Sequence, residues 1–240
     1  MQGIAIKEIR IGSYNIRKGL GTDRRRNPDR ILSVIAEMKC DIVVLQEADM
    51  RLGQRKTALP KQTILERTGL QPILASKNEV SLGWHGNAIL ARPSFNVTDL
   101  QLEELPGLEP RGAVIATLEN EDFALRVVGV HLGLLRRYRR MQLSFLTAKL
   151  SSMASAATVI AGDFNERSQT VGLGRLYPEY EIHSIGKTFH ARRPIVALDR
   201  FVTNGGATLI EADVYSEGHA KIASDHLPIR ARIAIGGNLL

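Results

Sequence analysis

The chain has 240 residues, of which 44% are hydrophobic and 24% charged, so it can bury a substantial core and has a globular protein's composition. No apolar run approaches the roughly 18 residues of a membrane span and no signal peptide is evident, so we expect a cytoplasmic protein. The single cysteine, Cys40, excludes an internal disulfide and a cysteine-ligated zinc site, and we expect it to be a buried thiol.

Basic side chains give the chain a net charge of +7 and are densest in residues 24–26 and 136–140. Such patches attract nucleic acid, anionic membrane surfaces or phosphorylated small molecules. A solvated surface is an equally good interpretation of either segment alone. Because both segments lie close in sequence to the polar motifs described below, we favour an anionic substrate.

Predicted strands outnumber predicted helices along the chain. Residues 3–17 form the first strand, and Asn27 and Pro28 then provide the N-cap and first turn of a helix through about Lys39. Further strands are predicted over residues 41–46, 86–92, 95–102, 112–118, 125–131, 157–161, 195–203, 207–214 and 227–235, and further helices over residues 59–68 and 134–153. This pattern favours mixed, mostly antiparallel sheets flanked by helices, and the lack of a linker or repeat favours one domain over residues 1–240. We expect the protein to be a monomer.

Three acidic residues lie at the ends of predicted buried strands. Asp163 and Glu47 each follow an apolar run, and Asp225 precedes an alternating one. An amide, Asn165, lies two residues beyond Asp163, and a histidine, His226, is next to Asp225. Carboxylates gathered in one place repel one another unless a cation compensates them, so the pattern predicts a metal-dependent active site.

Seven short motifs follow one another in a fixed order. They are Ser13-Tyr14-Asn15-Ile16-Arg17, Leu45-Gln46-Glu47, Gly86-Asn87-Ala88-Ile89-Leu90, Gly129-Val130-His131-Leu132, Gly162-Asp163-Phe164-Asn165, Ala197-Leu198-Asp199-Arg200 and Ser224-Asp225-His226-Leu227-Pro228. Each motif alone is weak, but the ordered set resembles the endonuclease/exonuclease/phosphatase superfamily. In this respect the chain is similar to deoxyribonuclease I, exonuclease III and the inositol-polyphosphate phosphatases. The resemblance covers nearly the whole chain, from Asn15 to Pro228.

The resemblance implies an α/β (α+β) fold, a four-layer α/β/β/α sandwich with two mixed, mostly antiparallel sheets and the site at one end of them. It also implies a Mg²⁺- or Mn²⁺-dependent hydrolase that acts on phosphoester bonds. Glu47 matches the principal metal ligand, with Asn15 beside it and Asp225 as the second acidic position near the metal. Oxygen donors of this kind suit a hard cation that binds phosphate.

Five residues match the catalytic positions of the family. Asp163 and Asn165 match the pair that positions and activates the attacking water, and Asp199 matches the carboxylate that hydrogen-bonds His226. His131 matches a histidine that helps the leaving group in the deoxyribonuclease I and phosphatase branches. Which histidine protonates the leaving group stays open; we favour His131 as the acid and His226 as the base or transition-state stabiliser.

Three further residues are candidates for substrate contact, namely Arg17, Asn87 and Arg111. Arg17 and the segment 136–140 could contact the phosphate backbone of a duplex, and they could equally hold an anionic headgroup. Arg111 equally suits a surface turn. Considered singly, Asn15 is more often a turn former and His131 a core histidine, and only their joint occurrence favours catalysis.

The substrate is the least determined feature of the sequence. Our first hypothesis is a phosphodiesterase or endonuclease acting on DNA or RNA. The alternative is a phosphatase or phosphodiesterase of phospholipid headgroups or small phosphorylated metabolites, in contact with a membrane surface but without a transmembrane segment. A remote alternative is a non-catalytic nucleic-acid-binding protein. Endo- against exo-action and one metal ion against two stay open.

Overall fold

Two six-stranded sheets and four α-helices make up the part of the chain that this computed structural model describes, residues 7–76, 78–168 and 171–236. The strands are β1 (Lys7–Asn15), β2 (Ile42–Gln46), β3 (Gln71–Pro72), β4 (Ala88–Ala91), β5 (Asn96–Leu105), β6 (Arg111–Glu119), β7 (Ala124–His131), β8 (Thr158–Asp163), β9 (Tyr180–His183), β10 (Asp199–Asn204), β11 (Ala207–Val214) and β12 (Ile229–Ile235). The helices are α1 (Pro28–Met38), α2 (Lys61–Thr68), α3 (Arg136–Ser151) and α4 (Ala220–Ala223).

Each sheet is mixed but mostly antiparallel. The first has the order β11-β12-β1-β2-β4-β3 and the second the order β5-β6-β7-β8-β10-β9. The only parallel neighbours among the described strands are β1 with β2 and β7 with β8, near the middle of each sheet. The predicted fold class is confirmed.

The two sheets pack face to face, and helices cover their outer faces. Along β2, Val44 packs into the core between the sheets and Val43 packs beneath α1 and α2. Along β7, Val127 belongs to the same inter-sheet core and Val128 packs against α3. Successive side chains of a strand point to opposite faces of the sheet. A strand whose two faces are both covered therefore has a continuous run of apolar residues in the sequence. Each fully buried side chain of this size contributes about 1.5–3 kcal/mol.

The first helix forms as the sequence predicts. The Asn27 side chain accepts a hydrogen bond from the backbone N–H of Arg30 at 3.2 Å, and Pro28 occupies the first turn. The helix ends at Met38 because Lys39 adopts the left-handed conformation at its C-cap. Cys40, the next residue, is a free and buried thiol. Among the described residues, no helix is both long and apolar enough to cross a membrane, and the expected cytoplasmic location stays a prediction.

Several predicted boundaries differ from the observed ones. The strands β3 and β9 and the helix α4 were not predicted, because elements of two to four residues are too short to show a period. The strand predicted over residues 195–203 begins only at Asp199, since Val196 pairs with Phe189 in an isolated bridge within a loop. The first predicted strand ends at Asn15, and its residues 3–6 lie outside the described part of the chain.

Strand direction gathers the polar motifs at one end of both sheets. The parallel strands β1 and β2 end there, as do β7 and β8 in the second sheet. The strands β4, β6, β10 and β12 are antiparallel to these neighbours and therefore begin at the same end. We call it the site end; it carries every residue that the sequence predicts for the site.

Gly162 is required inside β8 rather than in a turn after it. The strand continues to Asp163, and Gly162 pairs with Val130 of β7 at a φ of 153°. A Cβ atom at this position would lie 1.9 Å from the carbonyl oxygen of Val130. Only glycine therefore lets the two parallel strands approach and place Asp163 at the sheet end.

We expect Gly162→Ala to lower the free energy of unfolding by at least about 2 kcal/mol, because the new methyl group meets backbone that cannot move aside. Urea denaturation followed by circular dichroism measures the change. Gly174→Ala is the matched control, since no atom lies within 4 Å of the position that its new methyl group would occupy. Equal unfolding midpoints for the two variants would show that β7 and β8 tolerate a side chain here.

Candidate active site

The carboxylate of Asp163 lies at the centre of the polar cluster at the site end. Its Oδ2 accepts a hydrogen bond from Asn15 Nδ2 at 3.1 Å and lies 3.4 Å from His131 Nε2 and 3.7 Å from His226 Nε2. Its Oδ1 accepts the backbone N–H of Asn165 at 2.9 Å. Burial raises the pKa of Asp163 to about 6, while the charge of His226 acts in the opposite direction.

His226 is held by a second buried carboxylate. Its Nδ1 donates to Asp199 Oδ2 at 2.9 Å, and the Thr188 hydroxyl donates to the same oxygen at 2.5 Å. The ring of Phe189 packs against the imidazole with a centroid distance of 5.0 Å. Burial alone would lower the pKa of His226, but the charges of Asp199 and Asp163 outweigh it and raise the pKa to about 9. His226 is therefore a cation at neutral pH, with Nε2 directed at Asp163.

His131, unlike His226, is neutral at neutral pH. It is buried beside Arg111, and burial together with that guanidinium lowers its pKa well below the usual value. The charge of His226 lowers the His131 pKa further. The cluster thus contains one neutral and one protonated histidine on the same carboxylate, Asp163.

Oxygen donors for a metal ion lie at the ends of three neighbouring strands. Asn15 ends β1, Glu47 follows β2 and Asp225 precedes β12. Glu47 forms an ion pair with Lys18, and Asp225 Oδ2 lies 3.2 Å from Arg17 Nε. Both carboxylates therefore already attract cations, and two carboxylates with an amide oxygen are donors that Mg²⁺ or Mn²⁺ accepts. The residues fit the metal that the sequence predicts.

A second group of potential ligand atoms belongs to the buried cluster itself. Single donor atoms of Asp163, Asp199 and His226 lie within 4.8 Å of one another. Asp199 Oδ2 is already engaged by His226 and by the Thr188 hydroxyl. These contacts orient the histidine, and the metal ligands expected at Asn15, Glu47 and Asp225 stay a prediction.

Backbone strain is concentrated around these residues. Five non-glycine residues near the site have positive φ angles of 46–56°, namely Arg17, Lys18, Glu47, His85 and Asn165. Left-handed backbone is unfavourable for residues with a Cβ, and such residues persist where the surrounding structure holds them. The left-handed conformation of Glu47 is therefore fixed by its surroundings rather than by local preference, whereas asparagine adopts this region readily.

Comparison with known proteins identifies the family. A sequence model described as the Endonuclease/Exonuclease/phosphatase family matches residues 12–226. The chain belongs to this family. Members of the family hydrolyse phosphoester bonds and generally depend on divalent metal ions. No curated protein matched the sequence.

Solved structures of the Endonuclease/Exonuclease/phosphatase family share the fold. A family protein from Bacteroides thetaiotaomicron superposes with a TM-score of 0.78 at 14% identity, covering 96% of this chain and 99% of that one. A mannosyl-6-phosphatase from the same organism gives 0.75 at 15% identity, covering 94% and 99%. TDP2 from D. rerio, complexed with single strand DNA product, gives 0.73 at 17% identity, covering 95% and 99%. At these identities the likeness shows the fold alone.

The three predicted substrate-binding residues have different surroundings. Arg17 is partly exposed beside Asp225. Arg111 is 8% exposed, pairs with Glu109 at 3.0 Å and lines the cleft that contains His131. Asn87 is fully buried and donates to the carbonyl oxygen of Gly112 at 2.9 Å, so it bridges the two sheets.

Basic residues that the sequence did not single out also line the cleft. Lys18, Arg51 and Arg55 lie along it with Glu47 and Arg111. They follow β1 and β2 in irregular connections, where no periodic pattern shows which way a side chain points. Lys18 and Arg51 lie three and four residues after the metal-ligand candidates Asn15 and Glu47, and this proximity is the sequence signal that could have found them.

The arginine-rich segment 136–140 is largely engaged within the protein. Glu166, whose side chain is 1% exposed, accepts hydrogen bonds from Arg136 Nε at 2.9 Å and from Arg139 Nη2 at 2.8 Å. Its backbone carbonyl accepts from Arg200 Nη2 at 2.8 Å. These arginines hold the turn after β8, which carries Asn165, and they are not free for a substrate phosphate.

The charge of Glu166 makes the stability of this turn dependent on pH. Burial opposes its ionisation, but hydrogen bonds from Arg136, Ser168 and Arg139 outweigh burial and lower its pKa to about 2. Because the pKa of Glu166 is lower in the folded than in the unfolded protein, its ionised carboxylate stabilises the fold above about pH 4.5. This contribution to the free energy of unfolding is lost as the pH falls toward 2.

We expect Glu166→Gln to cost about 1–2 kcal/mol of unfolding free energy at pH 7, and the difference from wild type to shrink between pH 5 and pH 3. Urea denaturation across this range measures it. The exposed Glu121 provides the control, because Glu121→Gln should change stability little at any pH. A Glu166→Gln penalty that is constant with pH would contradict the assigned ion pairs.

Proposed function

We propose that the protein is a divalent-metal-dependent phosphodiesterase that hydrolyses P–O bonds by attack of water. The observation that supports this most directly is the arrangement around Asp163. This buried carboxylate lies between a neutral His131 and a protonated His226, and Asn15 connects it to the metal-ligand candidates. Groups poised to accept and to donate a proton are thus in contact beside an oxygen-donor site.

Glu47, Asn15 and Asp225 are the residues that we assign to hold Mg²⁺ or Mn²⁺. When bound, the ion would stabilise negative charge that develops on the phosphoryl group. Lys18 and Arg17 now neutralise the two carboxylates, so both cations lie where the phosphate of a substrate would approach.

The side chains divide the proton transfers between them. Asp163 and Asn165 align the attacking water, and the raised pKa of Asp163 makes it a competent proton acceptor. His226, kept protonated and oriented by Asp199, stabilises the phosphoryl charge and donates a proton to the leaving oxygen. His131, being neutral, is a hydrogen-bonding partner. The charges therefore favour His226 as the acid, in place of the His131 preferred from the sequence.

An extended or polyanionic substrate suits the surroundings of the site. Arg51, Arg55 and Arg111 lie along the cleft beside Glu47 and supply partners for phosphates that flank the reacting one. The solved structures of similar fold include TDP2 complexed with single strand DNA product and a mannosyl-6-phosphatase, so these neighbours do not select between a polynucleotide and a sugar phosphate. Action on DNA or RNA stays a prediction, as do a single domain and a monomeric state.

Metal binding is testable without turnover. We expect Glu47→Gln to weaken Mn²⁺ binding at least about tenfold by titration calorimetry, because it removes the charged ligand. Glu119→Gln, at the opposite end of β6, should bind Mn²⁺ as wild type does. Equal affinity in both variants would remove Glu47 from the metal site.

Catalysis is testable with a soluble diester. Wild type should hydrolyse bis-p-nitrophenyl phosphate with Mg²⁺ or Mn²⁺, and chelator should abolish the activity. His226→Ala should lower the rate about 10²–10⁴-fold, since a proton donor is lost. His219→Ala, an exposed histidine, should not. Full activity in His226→Ala would sink the mechanism, and turnover confined to p-nitrophenyl phosphate would make the enzyme a phosphatase.

A further inference from the structure

Large aliphatic side chains are exposed in connections at the site end. Among the described residues, six of them have more than half of their surface in solvent: Leu52, Leu74, Leu108, Leu134, Leu135 and Ile195. We call this set the aliphatic rim. Leu52 is 87% exposed and Leu108 77%. Single exposed leucines are common on proteins, whereas a set confined to one end of the fold calls for a reason.

All members of the aliphatic rim lie in connections at the site end. Leu52 follows β2 and Leu74 follows β3; Leu108 joins β5 to β6. Leu134 and Leu135 lie between β7 and α3, and Ile195 lies between β9 and β10. The connections at the opposite end, residues 39–41, 69–70, 92–95, 120–123, 152–157 and 205–206, contain no side chain of this class.

Basic side chains alternate with the aliphatic rim. Arg51 precedes Leu52, Arg137 follows Leu135 by two residues, and Arg192 and Arg193 precede Ile195 by three and two residues. All four arginines are exposed. Leaving aside residues 164–179, which run from the site end to the opposite end, the described site-end connections and α4 contain nine exposed basic residues and three exposed acidic ones. The basic residues are Arg24, Arg25, Arg26, Arg51, Lys56, Lys187, Arg192, Arg193 and Lys221, and the acidic ones are Asp23, Glu79 and Glu217.

Hydrogen bonds tie the aliphatic rim to the active site. The backbone N–H of Leu134 donates to Glu109 Oε1 at 3.0 Å, and Glu109 pairs with Arg111 in the cleft. On the other side, the loop that carries Ile195 also provides Phe189, which packs on His226. The rim is therefore positioned by the site, and a surface that it binds would face the reacting groups.

The chemistry of this face suits a lipid bilayer. Exposed aliphatic side chains gain free energy by entering the acyl boundary, and adjacent arginines gain it from anionic headgroups. A nucleic-acid backbone also attracts arginines, but it offers nothing to leucines at the tips of connections. The combination selects the bilayer over the polynucleotide.

We propose that the aliphatic rim docks the protein on an anionic phospholipid membrane, with the active site turned toward the headgroups. Provided that the proposed hydrolysis is correct, the substrate is then a phosphoester in the headgroup layer. Docking itself needs neither metal nor turnover, since the rim residues are not part of the reacting cluster.

Sedimentation with vesicles tests the docking in the presence of chelator. Wild type should bind equimolar phosphatidylglycerol–phosphatidylcholine vesicles, and it should bind pure phosphatidylcholine vesicles at least about tenfold more weakly. The variant Leu52→Ser, Leu108→Ser, Leu134→Ser, Ile195→Ser should lose at least about tenfold in partition coefficient. The control Leu65→Ser, Ile210→Ser changes exposed residues on α2 and β11 and should bind as wild type.

Hydrolysis of bis-p-nitrophenyl phosphate by the fourfold variant should equal that of wild type, which shows an intact fold and site. No vesicle binding by wild type, or equal binding by the fourfold variant, would overturn the proposal. Retention of duplex DNA by both proteins without vesicle binding would overturn it in favour of a polynucleotide surface. A wild type that binds vesicles but cleaves no diester would leave docking intact and contradict only the proposed function.

Discussion

The burial of one carboxylate, that of Asp163, organises the site end of the molecule. Removing an ionised carboxyl group from water costs several kcal/mol unless charges and hydrogen bonds replace the solvent. Asn15 and the backbone of Asn165 provide the hydrogen bonds, and the imidazolium of His226 provides the charge. The protonated state of His226 depends in turn on its hydrogen bond to Asp199, so the charge of each of these groups depends on the others. The groups that compensate for the burial of Asp163 are thus the same groups that we propose for proton transfer.

Both sheets bring residues of the Asp163 cluster together by the same strand arrangement. A central pair of parallel strands ends at one edge, and antiparallel neighbours begin there. Asn15 and Glu47 come from the first pair, and His131 and Asp163 from the second. Because the pleat fixes which residues end a strand, close approach of β7 and β8 sets the placement of Asp163, and a methyl group on Gly162 would prevent it.

The sequence was most informative about candidate site residues that lie at the ends of strands. Residues at strand ends could be predicted because apolar runs stop abruptly at them, and the Asn27–Pro28 start of α1 has a local cause. It was least informative about charges in irregular connections. Arg139 and Arg51 look alike in a sequence, yet one is paired internally and the other lies along the cleft. The same is true of Asn87, because the sequence does not distinguish an amide that bridges two sheets from an amide that faces a ligand.

The position of β12 in the first sheet determines when, during synthesis of the chain, the candidate site can form. This strand is near the end of the described chain, yet it lies between β11 and β1 in the first sheet. Asp225 and His226 immediately precede it, and Ser224 donates a hydrogen bond to the Asn15 carbonyl at 2.7 Å. A growing polypeptide therefore cannot assemble the candidate site until β12 has been synthesised and inserted beside β1. A polypeptide that stops before β12 therefore lacks the strand that holds Asp225 and His226 beside Asn15.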